Sequence, residues 1–150
     1  MATNPHQAIV NGRNLSISLK TSVEVARFIR GKSIDEARKL LQQVAKKKIA
    51  VPYLRYKLDI GHRPGKMGPG RYPVKVSKEF ITLLDSLEAN AQVKGLNTSS
   101  LVIKRAIPNY APIPYKGGRF RGRKTRRSHI QLVAEEMEKK VQKPKEVAKK

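Results

Sequence analysis

The sequence of 150 residues contains no cysteine and no tryptophan. The missing thiols exclude disulfides, thiolate zinc sites, iron–sulfur clusters and cysteine nucleophiles. No apolar run reaches the ~18 residues that a membrane-spanning helix needs. The first residues, Met1 to His6, lack the basic-then-apolar order of a signal peptide. We therefore expect a cytoplasmic protein with no disulfide and no membrane contact.

Acidic residues are the other scarce class. The chain has 33 Lys and Arg against 11 Asp and Glu, which gives a formal net charge of +22. A soluble domain of this length normally carries a net charge much closer to zero, so the excess indicates a polyanionic partner. The hydrophobic fraction of 39% and the length suit one domain with a modest core.

The positive charge is concentrated in two stretches. Residues 89–134 contain no Asp or Glu, and Asp59 is the one acid in residues 46–78. Ordinary solvated surfaces mix charges of both signs, whereas these stretches do not. We therefore predict that both bind nucleic acid, with arginine forks contacting phosphates. Tyr115 and Phe120 lie among these arginines and could stack on unpaired bases.

Apolar spacing predicts three helices. The first runs from about Ser18 to Arg30 and is followed by Gly31. The second opens with Ser33 and Glu36, a capping box in which each side chain satisfies the other's free backbone N–H. The third begins near Ser77 and stops at Gly95. Their apolar stripes are typical of helices that pack on a core.

Residues favourable to β-structure predict two strands at 101–107 and 129–133, and Leu15 with Ile17 indicates a short third strand. Between the first two lies a basic stretch, Pro108 to Ser128, with prolines at three even positions and glycines at its turn. Because alternate backbone N–H groups of a strand point the same way, the three missing donors are expected on one outward edge. We predict a two-stranded finger that projects roughly 30 Å.

Residues 46–76 form the other irregular stretch, with four glycines and four prolines. A loop of this length within a compact domain is usually functional or disordered. Its Lys and Arg residues favour a loop that RNA orders. Residues 1–9 and 136–150 are interpreted as polar tails, and the second of them is basic and predicted to be disordered.

Catalytic and metal sites have little support in the sequence. Residues 30–33 resemble the end of a phosphate-binding loop, but Ala26 replaces the earlier glycine and falls within a predicted helix. His6, His62 and His129 are scattered and have no acidic neighbour in sequence to form a metal site or a catalytic triad. We predict no enzymatic activity, no metal and no cofactor.

A series of motifs in a fixed order carries a family resemblance. They are Ile29-Arg30-Gly31-Lys32 with Asp35-Glu36-Ala37, Val51-Pro52-Tyr53, Gly61-His62-Arg63, Gly70-Arg71-Tyr72-Pro73-Val74-Lys75, the run from Glu88 to Leu96, and Ser128-His129-Ile130. Over about residues 12–134 the chain resembles the family of the twenty-second protein of the large ribosomal subunit, called seventeen in eukaryotes. The long loop at 46–76 is typical of the archaeal and eukaryotic form, since the bacterial form is shorter there.

The resemblance implies an α+β fold in which a three-stranded antiparallel sheet packs on three helices and a long β-hairpin protrudes. It implies one rRNA-binding domain at 10–135, with a basic loop at 46–76 and the hairpin at 107–127. The expected function is that of a structural constituent of the large ribosomal subunit that binds its rRNA during assembly. The hairpin would extend toward the wall of the peptide exit tunnel, so the expected partners are rRNA, neighbouring ribosomal proteins and the nascent peptide.

The candidate rRNA-binding residues lie mostly in the two acid-poor stretches. They are Arg13, Arg55, Lys57, His62, Arg63, Lys66, Arg71, Lys75, Lys104, Arg105, Lys116, Arg119, Arg121, Arg123, Lys124, Arg126 and Arg127. By the resemblance, the hairpin tip consists of Tyr115, Gly117, Gly118, Arg119 and Phe120.

Two other functions fit the composition. The first two helices could form the helix-turn-helix of a DNA-binding protein, although their apolar faces and the absence of a base-reading helix argue against it. A ribosome-associated RNA-binding factor, as opposed to a core subunit, would carry the same charge.

Overall fold

A computed structural model describes residues 6–65, 67–119 and 122–136 of the chain. In chain order the elements are β1 (Gln7–Leu15), α1 (Leu19–Ile29), α2 (Ile34–Ala45), β2 (Val51–Pro52), β3 (Gly70–Arg71), α3 (Val74–Val93), a 3₁₀ turn (Thr98–Ser100), β4 (Leu101–Tyr110) and β5 (Ser128–Glu136). Strands β1, β5 and β4 form an antiparallel sheet in that order, and β2 pairs with β3. The predicted α+β class, with three helices on a three-stranded sheet, is confirmed.

The core lies between the sheet and the three helices. Its largest fully buried side chains come from every layer, and they include Ile29 of α1, Leu41 of α2, Phe80 of α3 and Ile103 of β4. Because the core is continuous, the modest hydrophobic fraction is sufficient for one domain.

The first two helices begin and end close to their predicted positions. Helix α1 has Ser18 as its N-cap and Arg30 as its C-cap. At α2 the Ser33 hydroxyl accepts the Glu36 N–H at 3.2 Å, which is one half of the predicted capping box. The Glu36 carboxylate accepts from Lys32 Nζ at 2.8 Å, so its side chain turns toward a cation and not toward the N-cap backbone.

Two element boundaries differ from the predictions. Helix α3 begins at Val74, three residues before Ser77, and the residue before it is Pro73, which has no side-chain acceptor to mark a helix start. Strand β1 begins at Gln7, so residues 7–9 belong to the sheet and not to the predicted tail. A register shift between Gly12 and Leu15 interrupts the alternation of this strand, which is why its pattern is weak in the sequence.

Strands β4 and β5 also extend further than predicted. Strand β4 continues to Tyr110, and β5 runs from Ser128 to Glu136, so Glu136 is a strand residue and not the first residue of the tail. Ile17, predicted to extend a strand, instead follows β1 and is buried in the core. The predicted tail segments 1–5 and 137–150 lie outside the described residues.

The outer edge of β4 is covered by the turn between α1 and α2. The Gly31 N–H donates to the Ile103 carbonyl at 2.8 Å, and the Ile103 N–H donates to the Lys32 carbonyl at 2.9 Å. Gly31 has a φ of +79°, a conformation that glycine adopts without steric cost. These bonds satisfy an otherwise open edge and fix the helical hairpin to the sheet.

Helices α2 and α3 are joined by one arginine. Arg38 of α2 forms ion pairs with Asp85 and Glu88 of α3, and with Asp35 of its own helix. The hydrogen bond with Glu88 is the main cause that raises the pKa of Arg38. Three of the few acids in the chain are therefore used in one contact on the helical side of the fold.

A buried carboxylate connects α1 to the 46–76 loop. Glu24 is only 1% exposed, and its oxygens accept the backbone N–H groups of Leu54, Arg55 and Tyr56 at 3.1, 2.9 and 2.8 Å. Hydrogen bonds to an ionised acceptor are about twice as strong as neutral ones. Glu24 thus holds residues 54–56 of the loop against α1.

We expect Glu24→Gln to lower the free energy of unfolding by about 2–4 kcal/mol, because the amide offers one acceptor oxygen and turns its NH₂ toward backbone donors. Thermal denaturation measures this loss, and hydrogen exchange should accelerate at residues 54–56. The matched control is Glu79→Gln on α3, which makes the same charge change at a side chain with no ion pair among the described residues. Equal losses in the two variants would contradict the anchoring role.

We also expect one pH-dependent contribution to stability at the far end of the sheet. Glu135 accepts from Lys104 Nζ at 3.0 Å and from Gln7 Nε2 at 2.6 Å, and the hydrogen bond with Lys104 is the main cause that lowers the pKa of Glu135. A lowered pKa in the folded state stabilises the protein above the unfolded value of about 4.3, and this gain is lost as the pH falls through the folded-state pKa.

Glu135→Gln should therefore be less stable than the unsubstituted chain at pH 7, by under about 1 kcal/mol because Lys104 is largely exposed. The difference should shrink steadily below about pH 4. Denaturant titrations of both proteins across this range measure it. A stability difference that is the same at pH 7 and pH 3 would show that the ionised carboxylate is not responsible.

Candidate nucleic-acid interface

The ion pairs of the described residues lie on the helices and the sheet, away from the loop and the finger, and one of them includes the predicted site residue Lys104. Asp35, Asp85 and Glu88 are paired with Arg38, and Glu135 is paired with Lys104. Within the ranges that the structure describes, no ion pair involves a cation of the 46–76 loop. The described cations of the loop are therefore not held in ion pairs, as expected of a surface that binds phosphates.

The 46–76 loop has a framework of its own backbone bonds. The short sheet of β2 and β3 is extended by the Tyr53 N–H, which donates to the Pro69 carbonyl at 2.9 Å, and by a bridge between His62 and Pro69. Arg63 Nε donates to the Gly70 carbonyl at 3.1 Å. A Cβ on Gly70 would lie 3.2 Å from Arg63 Cγ and 3.3 Å from the Val51 carbonyl oxygen, so glycine is the residue that fits. His62 and Arg63 thus shape the loop.

The predicted finger continues from β4 and β5. Its arms are joined by the Ala111 N–H to the Arg127 carbonyl, the Thr125 N–H to the Pro114 carbonyl, and the Lys116 N–H to the Arg123 carbonyl, at 3.4, 2.8 and 2.8 Å. The turn contains Gly118, whose φ is +113°. Tyr115 is well exposed, and Lys124 Nζ lies 4.9 Å from the centre of its ring.

The prediction that all three finger prolines face outward is wrong for Pro114. A strand residue's N–H and C=O lie on the same side, and the Pro114 carbonyl accepts a bond from the opposite arm. Pro108 does face outward, because the Ala106 carbonyl, two residues earlier in the same strand, accepts from Arg30 of α1 on that side. The alternation changes between Ala111 and Pro114, which even spacing in the sequence does not show.

A basic groove lies where the finger meets the body. It has a volume of about 430 Å³, and its lining includes Lys75 of α3 together with Lys116, Lys124, Thr125 and Arg126 of the finger. Helices α1 and α3 both begin at this groove, and neither has an acidic residue in its first turn. Their N-terminal partial charges therefore add to the positive potential of the lysines.

A second concave region lies beside the groove. It has a volume of about 260 Å³ and is lined by Lys20 of α1, Tyr53, Arg55, Tyr56, Arg71 and Arg126, among others. Arg126 lines both cavities, so the groove and this pocket form a continuous basic surface. Lys20, Tyr53 and Tyr56 were not among the candidate residues, because only the folded chain brings α1 against the loop.

The open face of the sheet contributes a polar surface near the base of the finger. Asn11, Arg13, Asn109, His129 and Gln131 line a shallow depression of about 550 Å³ there. Strand register brings the amides together, since Asn11 pairs with Gln131 on one side of β5 and Asn109 pairs with His129 on the other. Amides in strands carry no charge signal, so the sequence indicated only Arg13 in this region.

The predicted site residues fall into groups with different surroundings. Arg55, Arg71, Lys75, Lys116, Lys124 and Arg126 converge on the groove and the pocket. Arg127 Nη1 instead donates to the Asn14 carbonyl at 3.0 Å, which fixes the base of the finger. Lys57, Arg105, Arg119 and Arg123 are exposed, and Lys66, Phe120 and Arg121 lie outside the described residues.

Residues 6–65, 67–119 and 122–136 contain neither a membrane-spanning helix nor a metal site. No helix there is long and apolar enough to cross a membrane. No group of three or more His, Cys, Asp or Glu side chains there is arranged to hold a metal ion.

The chain is similar in sequence to known ribosomal proteins. Residues 10–135 match the family model described as Ribosomal protein L22p/L17e. The chain is 44% identical over 133 residues to the large ribosomal subunit protein uL22 of Thermofilum pendens, an alignment that covers 84% of this chain and 87% of the relative. It is 51% identical over 106 residues to the protein of the same name from Thermoplasma volcanium, with 66% and 71% covered. For that of Archaeoglobus fulgidus the identity is 43% over 133 residues, with 83% and 84% covered.

These relatives are archaeal, in agreement with the predicted archaeal or eukaryotic form. Proteins of this family have a structural and not an enzymatic role, and they work in the cytoplasm as part of the ribosome, so both predictions are confirmed. The motif resemblance and the acid-poor surface thus lead to the same conclusion: the chain belongs to the ribosomal protein L22p/L17e family.

Proposed function

We propose that the protein is a structural constituent of the large ribosomal subunit that binds large-subunit rRNA during assembly through its loop, groove and finger. The observation that carries this proposal is the convergence of six predicted basic residues on one continuous surface, while the ion-paired acids lie elsewhere. Such a surface neutralises phosphates without competition from carboxylates. The names of the archaeal relatives agree with a place in the large subunit.

The finger continues beyond the end of the three-stranded sheet. From Tyr110 at the end of β4 to Gly118 in the turn, eight residues of extended chain span roughly 25 Å. Its apolar side chains Tyr110 and Tyr115 are 71% and 64% exposed, so they have little contact with the body. We propose that rRNA surrounds these arms and that the tip, at residues 115–120, lies at the wall of the peptide exit tunnel near the nascent peptide.

The helix-turn-helix alternative does not fit the packing of α1 and α2. The turn between them is hydrogen-bonded to the edge of β4, and α2 packs its buried face against α3. The remaining alternative is a ribosome-associated factor, which would bind the large subunit less firmly than a core constituent does. Sedimentation of ribosomes in high salt distinguishes the two, because a core constituent remains with the large subunit while an associated factor is released.

Removing the finger should flatten the salt dependence of rRNA binding. Replacing residues 112–126 by a short Gly-Ser turn deletes six basic residues and keeps the Ala111–Arg127 bond that closes the sheet end. If about five of them neutralise phosphates, the slope of log K against log[salt] becomes shallower by roughly 3.5–4.5, at about 0.7–0.9 for each contact. Binding of an rRNA fragment across a salt series measures both slopes.

Single substitutions give the matched control for this experiment. Lys116→Gln removes one charge from the groove, whereas Lys39→Gln removes one exposed charge from α2, outside the proposed surface. We expect the first to reduce the slope by about 0.7–0.9 and the second to leave it unchanged. If the finger-deleted protein keeps the full slope, the finger does not bind RNA through its charge.

A further inference from the structure

The pocket beside the groove has a chemical composition that differs from the rest of the basic surface. Its walls combine two tyrosines, Tyr53 and Tyr56, with the cations Lys20, Arg55, Arg71 and Arg126. Leu58 and Ile60 add apolar surface at the same place, and Leu58 is 84% exposed. A site that contacts only the phosphates of a duplex needs cations on an open surface. A concave wall of aromatic and apolar side chains adds nothing to phosphate contacts.

We propose that this pocket binds a single unpaired nucleotide of the rRNA, with its base against the Tyr56 ring and its phosphates on Arg71 and Arg126. The inference rests on the proposed rRNA-binding function and names the part of the RNA that this site takes. Bases that are not paired are recognised in proteins by stacking on aromatic rings and arginine planes.

The position of Tyr56 is determined by the fold. Its backbone N–H is one of the three groups held by the buried Glu24 carboxylate, at 2.8 Å. Lys20 Nζ lies 5.7 Å and the Arg55 guanidinium carbon 5.4 Å from the centre of the Tyr56 ring. Both cations are exposed and have long unbranched stems, so either can leave the ring to a base and move to the adjoining phosphate.

Tyr53 forms the inner wall of the same pocket. Its side chain is 5% exposed, and burial raises the pKa of its hydroxyl against the opposing effects of Thr21 and Arg71. Because this hydroxyl is already hydrogen-bonded with Thr21, Tyr53 is a fixed wall of the pocket. The volume of about 260 Å³ lies below the ~300–1,000 Å³ of pockets for drug-sized ligands, which suits one base and not a stack of bases.

The absence of tryptophan from the chain allows a direct test, because Tyr56→Trp places the one tryptophan at the site, where it can be excited selectively over the remaining tyrosines. We expect stacking to quench its fluorescence strongly when an rRNA fragment with an unpaired loop binds. The matched control, Val93→Trp, places the fluorophore at an 88% exposed position near the end of α3 and should change little. Polyphosphate, which supplies charge without bases, should leave Tyr56→Trp unquenched.

The affinities of two further variants test the same proposal without the tryptophan substitution, in case that substitution disturbs the fold. Tyr56→Ala should weaken binding of the same fragment about 5- to 150-fold and Tyr56→Phe should keep it, since stacking needs only the ring. Tyr56→Ala should not alter the salt slope, whereas Arg71→Gln should reduce it by about 0.7–0.9.

Failure of the pocket proposal and failure of the proposed rRNA-binding function give different results. Equal quenching by polyphosphate, or rRNA binding with no quenching and no loss in Tyr56→Ala, overturns the nucleotide pocket and leaves the proposed function standing. If the unsubstituted chain does not bind the rRNA fragment, the proposed function fails and the pocket proposal fails with it.

Discussion

The three backbone bonds accepted by Glu24 determine where the basic surface lies. Without them the 46–76 loop would be joined to the body by its two chain ends and by the buried side chains of Val51 and Tyr53. With them, residues 54–56 lie against α1, and this places Tyr56 and Arg55 beside Lys20. A carboxylate is suited to this task because its two oxygens can accept several N–H groups at once. One of the few acids of the chain is thus buried where it organises cations and not where it would neutralise them.

Ion pairs of other acids lower the electrostatic repulsion within a chain of net charge +22. Arg38 gathers three carboxylates between α2 and α3, and Glu135 links Lys104 to Gln7 across the sheet. These pairs reduce repulsion on the helical side and at the far end of the sheet. The loop, groove and finger keep their charge, and the mutual repulsion there lowers the stability of the protein alone. RNA that neutralises this surface removes the repulsion and so stabilises the protein that binds it.

The fold could be predicted from the sequence where a local signal has one structural meaning. Ser33 with Glu36 marks the start of α2, and Gly31 marks the turn before it, because capping groups and a positive φ depend on neighbouring residues alone. The sequence places the start of α3 three residues late because Pro73 gives no capping signal, and it predicts a strand only at the end of β1 because a register shift disrupts the alternation. The pocket could not have been predicted, since its members lie at positions from Lys20 to Arg126 and meet only through tertiary contacts.

The base of the finger is held far more firmly than its arms, and this divides its properties between the protein and the RNA. Arg127 donates to the Asn14 carbonyl, and the buried Ser128 hydroxyl donates to the Ile17 carbonyl, so the direction in which the finger leaves the sheet is set by β1 and the segment after it. Beyond this point the arms lie outside the core, and a two-stranded ribbon without a third strand is marginal in water. The body therefore sets the direction of the finger. A partner that buried the arms of the finger would supply the stability that the protein alone does not give them.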